Sequence, residues 1–239
     1  MPGMNRRKVA ELAPKAWAGL CDVMGGADRI KGEPSWSDGF IINFRKDADL
    51  PWAPANAETR GWHKDGNFFT HFLDSPEQGL LTIVVWDDVR PRSGGTFFAT
   101  DSVAKVAQFL YDHPEGLPPG EFGKVIGECE EFVEGTANAG DVFLIHPFML
   151  HTAVSNPSGI PRFITNPPVA LKEPMDFNRD DPDEFSLVEQ VVLKSLGRDR
   201  LDYRITGERE TFYTDFRRKR EEMLEEQKAR LAKLEEETV

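Results

Sequence analysis

Residues 140–151 read Gly140-Asp141-Val142-Phe143-Leu144-Ile145-His146-Pro147-Phe148-Met149-Leu150-His151. A Gly-Asp turn followed by an apolar run describes a strand that leaves a turn and delivers His151. Short apolar runs recur at 39–44, 79–86, 96–99 and 162–164, each bounded by Gly, Pro, Asn or Asp. Runs of this length, rich in Val, Ile, Phe, Trp and Thr, predict a β-sandwich or barrel over 36–171. One amphipathic helix interrupts them at 102–111, with Val103, Val106, Ala107 and Leu110 on one face.

Outward from that core, residues 8–31 carry Val9, Leu12, Ala16, Trp17, Leu20 and Val23 at steps of three and four, closed by Gly25-Gly26. That is a helix stripe with its stop signal. Residues 172–239 form a helical C-terminal extension, with an acidic loop at 176–184 and a helix near 186–196. From Arg217 onward the chain is charged and helix-forming, with Met223, Leu224, Leu231 and Leu234 in a narrow stripe. Two readings stay open there: a solvated helix laced with i,i+4 ion pairs, or a short coiled coil joining a homodimer. The 239 residues are expected to form one domain, mostly β with flanking helices.

Composition excludes several classes. Lys plus Arg number 29 and Asp plus Glu 41, a net charge of −12, which opposes nucleic acid and anionic membrane alike. Two distant cysteines rule out a site built on cysteine pairs. Neither a signal peptide nor a membrane-spanning run is visible, so cytoplasmic location is expected. No phosphate cradle or concentrated basic patch appears near the predicted mouth, so nothing in the sequence identifies a carrier-bound substrate.

Five histidines carry the chemistry: His63, His71, His113, His146 and His151. In Trp62-His63-Lys64-Asp65 the imidazole and carboxylate are two apart, and if this segment is a strand they share one face and could converge on one point. With five His and nineteen Asp in the chain, chance alone supplies about 0.4 such pairs. The pair gains meaning from His151, which would complete a two-histidine, one-carboxylate face with open positions for a divalent transition metal. Eleven residues on, after Asn156-Pro157-Ser158, stands Arg162 beside an apolar strand. An arginine pointing into a barrel is costly unless it meets an anion, and its fork matches a carboxylate. A structural ion pair would satisfy it too.

Taken in order, Trp62-His63-Lys64-Asp65, the strand to Trp86, Gly94-Gly95-Thr96 and Gly140-Asp141 through His151, Asn156, Ser158 and Arg162 resemble the phytanoyl-CoA dioxygenase-like family of Fe(II)/2-oxoglutarate-dependent oxygenases. The resemblance covers residues 8–171. It implies a double-stranded β-helix, a cupin-like jelly-roll barrel, with His63, Asp65 and His151 holding Fe(II). Arg162 would grip the far carboxylate of 2-oxoglutarate, with Thr96, Asn43 and Trp86 lining that co-substrate, and O2 as oxidant. The expected reaction is hydroxylation of a small or mid-sized metabolite, with Trp62, Phe68, Phe69 and Trp86 as apolar wall. A metal sensor or scaffold, or a cupin-like isomerase, would share the fold.

Departures from the family pattern also register. Ala153 stands where a hydroxyl often helps hold the co-substrate, so another group must substitute. Lys64 replaces a more usual Gln. Asp65 opposes the halogenating branch, which leaves that position vacant. His146 lies an odd number of residues from His151 and reads as structural. His71 and His113 read as exposed loop residues, with His71 at the barrel mouth within reach of substrate.

Overall fold

The computed structural model describes residues 4–44 and 49–237. In chain order the elements are β1 (Arg6–Lys8), α1 (Val9–Leu12), α2 (Pro14–Met24), β2 (Ser35–Ser37), β3 (Ile41–Asn43), β4 (Leu80–Val85), β5 (Thr96–Ala99) and α3 (Ser102–Tyr111). There follow β6 (Phe132–Gly135), β7 (Val142–Ile145), β8 (Leu150–Ala153), β9 (Arg162–Thr165), β10 (Pro168–Val169), α4 (Leu187–Ser195) and α5 (Asp215–Glu237). The centre of the chain is thus sheet, flanked by helices at both ends.

All six residues of β4 are buried, because both of its faces are covered. It pairs antiparallel with β7 along one side and with β9 and β10 along the other, and β3 extends the sheet beyond β9. A second sheet has the order β6-β5-β8. Leu81 and Ile83 of β4, Ile145 of β7 and Ile164 of β9 meet Phe98 of β5 in one apolar cluster. The two sheets therefore face each other across that cluster. The alternate residues Leu80 and Val84, with Phe97 and Ala99 of β5, belong instead to a larger cluster shared with Leu20 and Met24 of α2 and Val188 and Val192 of α4. Period-two alternation sorts side chains between the inner space and the helical layer.

The stripe over 8–31 is not one helix. Pro14 has no N–H and crowds the preceding turn, so α1 ends at Leu12 and α2 starts at Pro14. Ahead of them, β1 pairs with β2, and Lys8 adds an ion pair to Glu33 at 2.8 Å. On the C-terminal side, Ser186 and Glu189 form a reciprocal capping box that starts α4. No helix among the described residues is long and apolar enough to cross a membrane.

Candidate metal centre

His63 and His151 exchange both backbone hydrogen bonds, at 3.1 and 3.0 Å, in an antiparallel bridge. His151 also stands opposite Phe98 of β5, so it projects into the space between the sheets. The bridge puts the His63 imidazole on that same side, with ring centroids 4.4 Å apart. Asp65, two residues on, joins them: Oδ1 lies 3.4 Å from His63 Nε2 and 3.8 Å from His151 Nε2. One donor atom from each residue lies within 4.8 Å of the others.

The supporting contacts select the donor atoms. His63 Nδ1 donates to the Gly61 carbonyl at 2.7 Å and His151 Nδ1 to the Met149 carbonyl at 3.2 Å. Both rings therefore turn Nε2 toward the shared point, as metal-binding imidazoles do. Asp65 keeps Oδ1 for that point, while Oδ2 accepts from Asn166 Nδ2 at 2.9 Å. Two imidazoles and a carboxylate suit a borderline divalent ion. Neighbouring donors on bonds of about 2.1 Å lie about 3 Å apart, so small side-chain shifts close the set.

Electrostatics agree with a cation site. Burial works against ionised Asp65, but the His63 hydrogen bond and both imidazoles outweigh it and hold its carboxyl below the usual range. The Asp65 hydrogen bond raises His63, while burial lowers His151. An entering cation therefore competes with a proton shared by His63 and Asp65.

Lys64 points the other way, into the core. Its Nζ lies 2.8 Å from His71 Nδ1 and 5.3–5.9 Å from the ring centres of Phe69, Phe122 and Phe148. Burial draws its pKa down to about 7. His71 is not the exposed loop residue expected from the sequence: it is 1% exposed, bridged to Leu117, and its Nε2 donates to the Gly66 carbonyl at 2.7 Å. With both ring nitrogens used, it braces the 63–66 loop from behind. His146 is likewise structural, accepting from the Phe148 N–H at 3.2 Å. His113 is half-buried and donates to the Phe109 carbonyl.

Arg162 is 4% exposed. It shares the inward parity of Ile164 on β9, and Asn166 continues the same series toward Asp65. Its Nη1 donates to Thr96 Oγ1 at 2.9 Å, its Nε is buried without a partner, and it forms no ion pair among the described residues. Burial pulls its pKa down to about 10. Thr96 precedes Phe98, the partner of His151, by two residues on β5. That step puts the guanidinium's anchor about 7 Å along the strand from the histidine.

The Asn-Pro-Ser segment and the Gly pair build this corner. Asn156 donates to the carbonyls of Asn43 and Ile160 and accepts from Ser158, fixing the turn that leads into β9. Gly94 has φ +76°, and a Cβ there would approach Asn43 Nδ2 to 2.5 Å. Asn43 pairs with Arg162 in register, but its Nδ2 already donates to the Gly94 and Val154 carbonyls. Thr96 stands directly across from Ala153, so its hydroxyl occupies the corner where Ala153 offers none. Trp86 departs from expectation: it pairs with Phe163, donates to Thr165 Oγ1 and packs on Phe40, on the face opposite Ile164 and Arg162.

A cleft of about 1090 Å³ opens on the centre, with His63, Asp65, Trp62 and Phe68 in its wall. Phe69, His71, Arg162 and His151 are not part of that wall. Among the wall residues that the sequence did not single out are Asn166, whose signal is the period-two continuation from Arg162, and Gln78, which has none.

No protein-family model matches the sequence, and no curated protein matches it. Among solved structures, the chain is similar to the non-heme alpha-ketoglutarate-dependent epimerase SnoN from nogalamycin biosynthesis, at 17% identity and a TM-score of 0.36. The similarity covers 70% of this chain, which spans 60% of that chain's length.

Proposed function

We propose that this protein is an Fe(II)- and 2-oxoglutarate-dependent oxygenase, built on a double-stranded β-helix, that oxidises a C–H bond of a small molecule. The carrying observation is the pairing of two features in one inter-sheet space: a His63-Asp65-His151 donor set, and a buried arginine with no anion to meet. In this reading His63 and His151 present Nε2, held by their Nδ1 hydrogen bonds to Gly61 and Met149. Asp65 supplies one oxygen while Asn166 holds the other. Arg162, steadied by Thr96, binds the distal carboxylate of 2-oxoglutarate in a bidentate fork. Iron and 2-oxoglutarate, when bound, supply the oxidising chemistry with O2, releasing succinate and CO2. Trp62 and Phe68 form apolar wall beside the centre.

The test is anaerobic addition of Fe(II) and 2-oxoglutarate, which yields a visible charge-transfer band in the wild type. H63A and D65A lose metal affinity by more than about a hundredfold and lose succinate formation, with circular dichroism unchanged. A chain that binds Fe(II) but gives no band overturns the oxygenase reading and leaves a metal-binding scaffold or a metal-dependent isomerase.

A further inference from the structure

The chain carries a net charge of −12, yet Arg6, Lys31, Lys219 and Arg220 all line its cleft. All four are exposed and none forms an ion pair among the described residues. The carboxylates in that wall are Asp65, a member of the donor set, and Glu33, which is already paired with Lys8 at 2.8 Å. Gln78 lines the same cleft at 3% exposure, and its Nε2 has no hydrogen-bond partner.

The basic run Arg217-Arg218-Lys219-Arg220 sharpens the point. Arg217 pairs with Glu221 and Arg218 with Asp215 and Glu222. Lys219 and Arg220, which share the face of Met223 toward the cleft, have no such partner. The start of α5 is brought there by the preceding segment, where Thr211 bridges Phe69 and the Phe212 N–H donates to the Phe68 carbonyl at 2.6 Å. Lys31 is set by its N–H bond to the Ala170 carbonyl and Arg6 by its pairing with Ser37. The sequence shows no basic patch because these cations come from three distant segments. A cleft lined by one sign of charge concentrates ligands of the other.

We propose that this cationic lining binds a compact, multiply charged anionic group of the substrate, a phosphate or a cluster of carboxylates, with the rest of the molecule extending toward His63 and Asp65. That orientation rests on the oxygenase reading; the anion site itself does not.

The test is calorimetric titration of the full-length, metal-free chain with inorganic pyrophosphate and, separately, citrate, at about 20 mM salt, where screening is weak. The wild type binds at least one probe, with affinity falling as salt is raised. The stronger probe tells phosphate from carboxylate. K219E/R220E binds it about tenfold more weakly, each reversal contributing about threefold. The control K228E/R230E makes the same charge change about 14 Å farther along α5 and leaves binding unchanged. No binding of either probe, or equal losses in the two double variants, overturns the proposal. K219E/R220E retains the Fe(II)/2-oxoglutarate band. A wild type that binds pyrophosphate but lacks that band refutes the oxygenase reading and leaves the anion site standing.

Discussion

Replacing Arg162 with Met separates stability from ligand binding. The guanidinium is 4% exposed with one hydrogen bond to Thr96 and a buried, unpartnered Nε. Burial draws its pKa to about 10, two to three pH units below an ordinary arginine; at about 1.4 kcal/mol per unit, the buried charge costs about 3 kcal/mol. R162M removes that cost and forfeits the Thr96 bond, worth about 1 kcal/mol, while methionine refills most of the stem's volume. The ligand-free variant is therefore more stable by about 2 kcal/mol, a rise in Tm of about 4–8 °C for a chain of this size. With Mn(II) and 2-oxoglutarate at about a hundred times Kd, the wild type gains about 2.7 kcal/mol and overtakes the variant, which gains nothing from 2-oxoglutarate. Scanning calorimetry with and without 2-oxoglutarate reads both effects. If R162M melts below the wild type in the absence of ligand, the buried-charge argument is wrong. If 2-oxoglutarate raises both melting points equally, the assignment of Arg162 to the co-substrate is wrong.

Two further predictions concern the scaffold. His146 is held near a pKa of 3 by burial, with Nδ1 accepting from Phe148 and Nε2 facing the Val188 carbonyl. Its folded value lies below the unfolded one of about 6.5, so the unfolded chain protonates first and stability falls as pH drops from about 6.5 to about 3. H146N removes that share of the pH slope, as read by urea unfolding at several pH values; an unchanged slope would exonerate His146. Glu189, 3% exposed, accepts from the backbone of Ser186 and Asp176 and from Arg29 and Arg179. E189A strands those donors and costs about 3–5 kcal/mol, and a loss below about 1 kcal/mol in denaturant unfolding would contradict that network.

Local pattern made much of the fold legible. The run at 79–86 became β4 with a trim at each end, the run at 96–99 is β5, and the 102–111 helix matches α3. What failed depended on distant partners. Arg6–Lys8 is fully exposed and charged and is a strand only because β2 lies beside it. Phe132–Gly135 lies amid glutamates and lacks a clean alternation; pairing with β5 makes it a strand. At the site, His63, Asp65 and His151 were readable as residue types in order, but only His151 lies on a strand; His63 makes an isolated bridge to it and Asp65 follows in a bend, so a loop and not a strand face brings the carboxylate in. His71 was misjudged because its burial depends on Leu117, 46 positions away. Trp86 was misplaced because a one-residue step decides which face a side chain takes.

Strand β4 also has a temporal consequence. Its six buried residues, Leu80–Val85, pair only with later strands among the described residues: Val84 with Val142, 58 positions on, and Leu80 with Val169, 89 positions on. During synthesis, a ribosome adding about 5–20 residues per second leaves this apolar segment without its sheet for several seconds. Such segments, strand-forming and uncharged, are prone to pair with other chains while they wait. A strand buried along its whole length in the finished protein is thus left uncovered while the chain is being made.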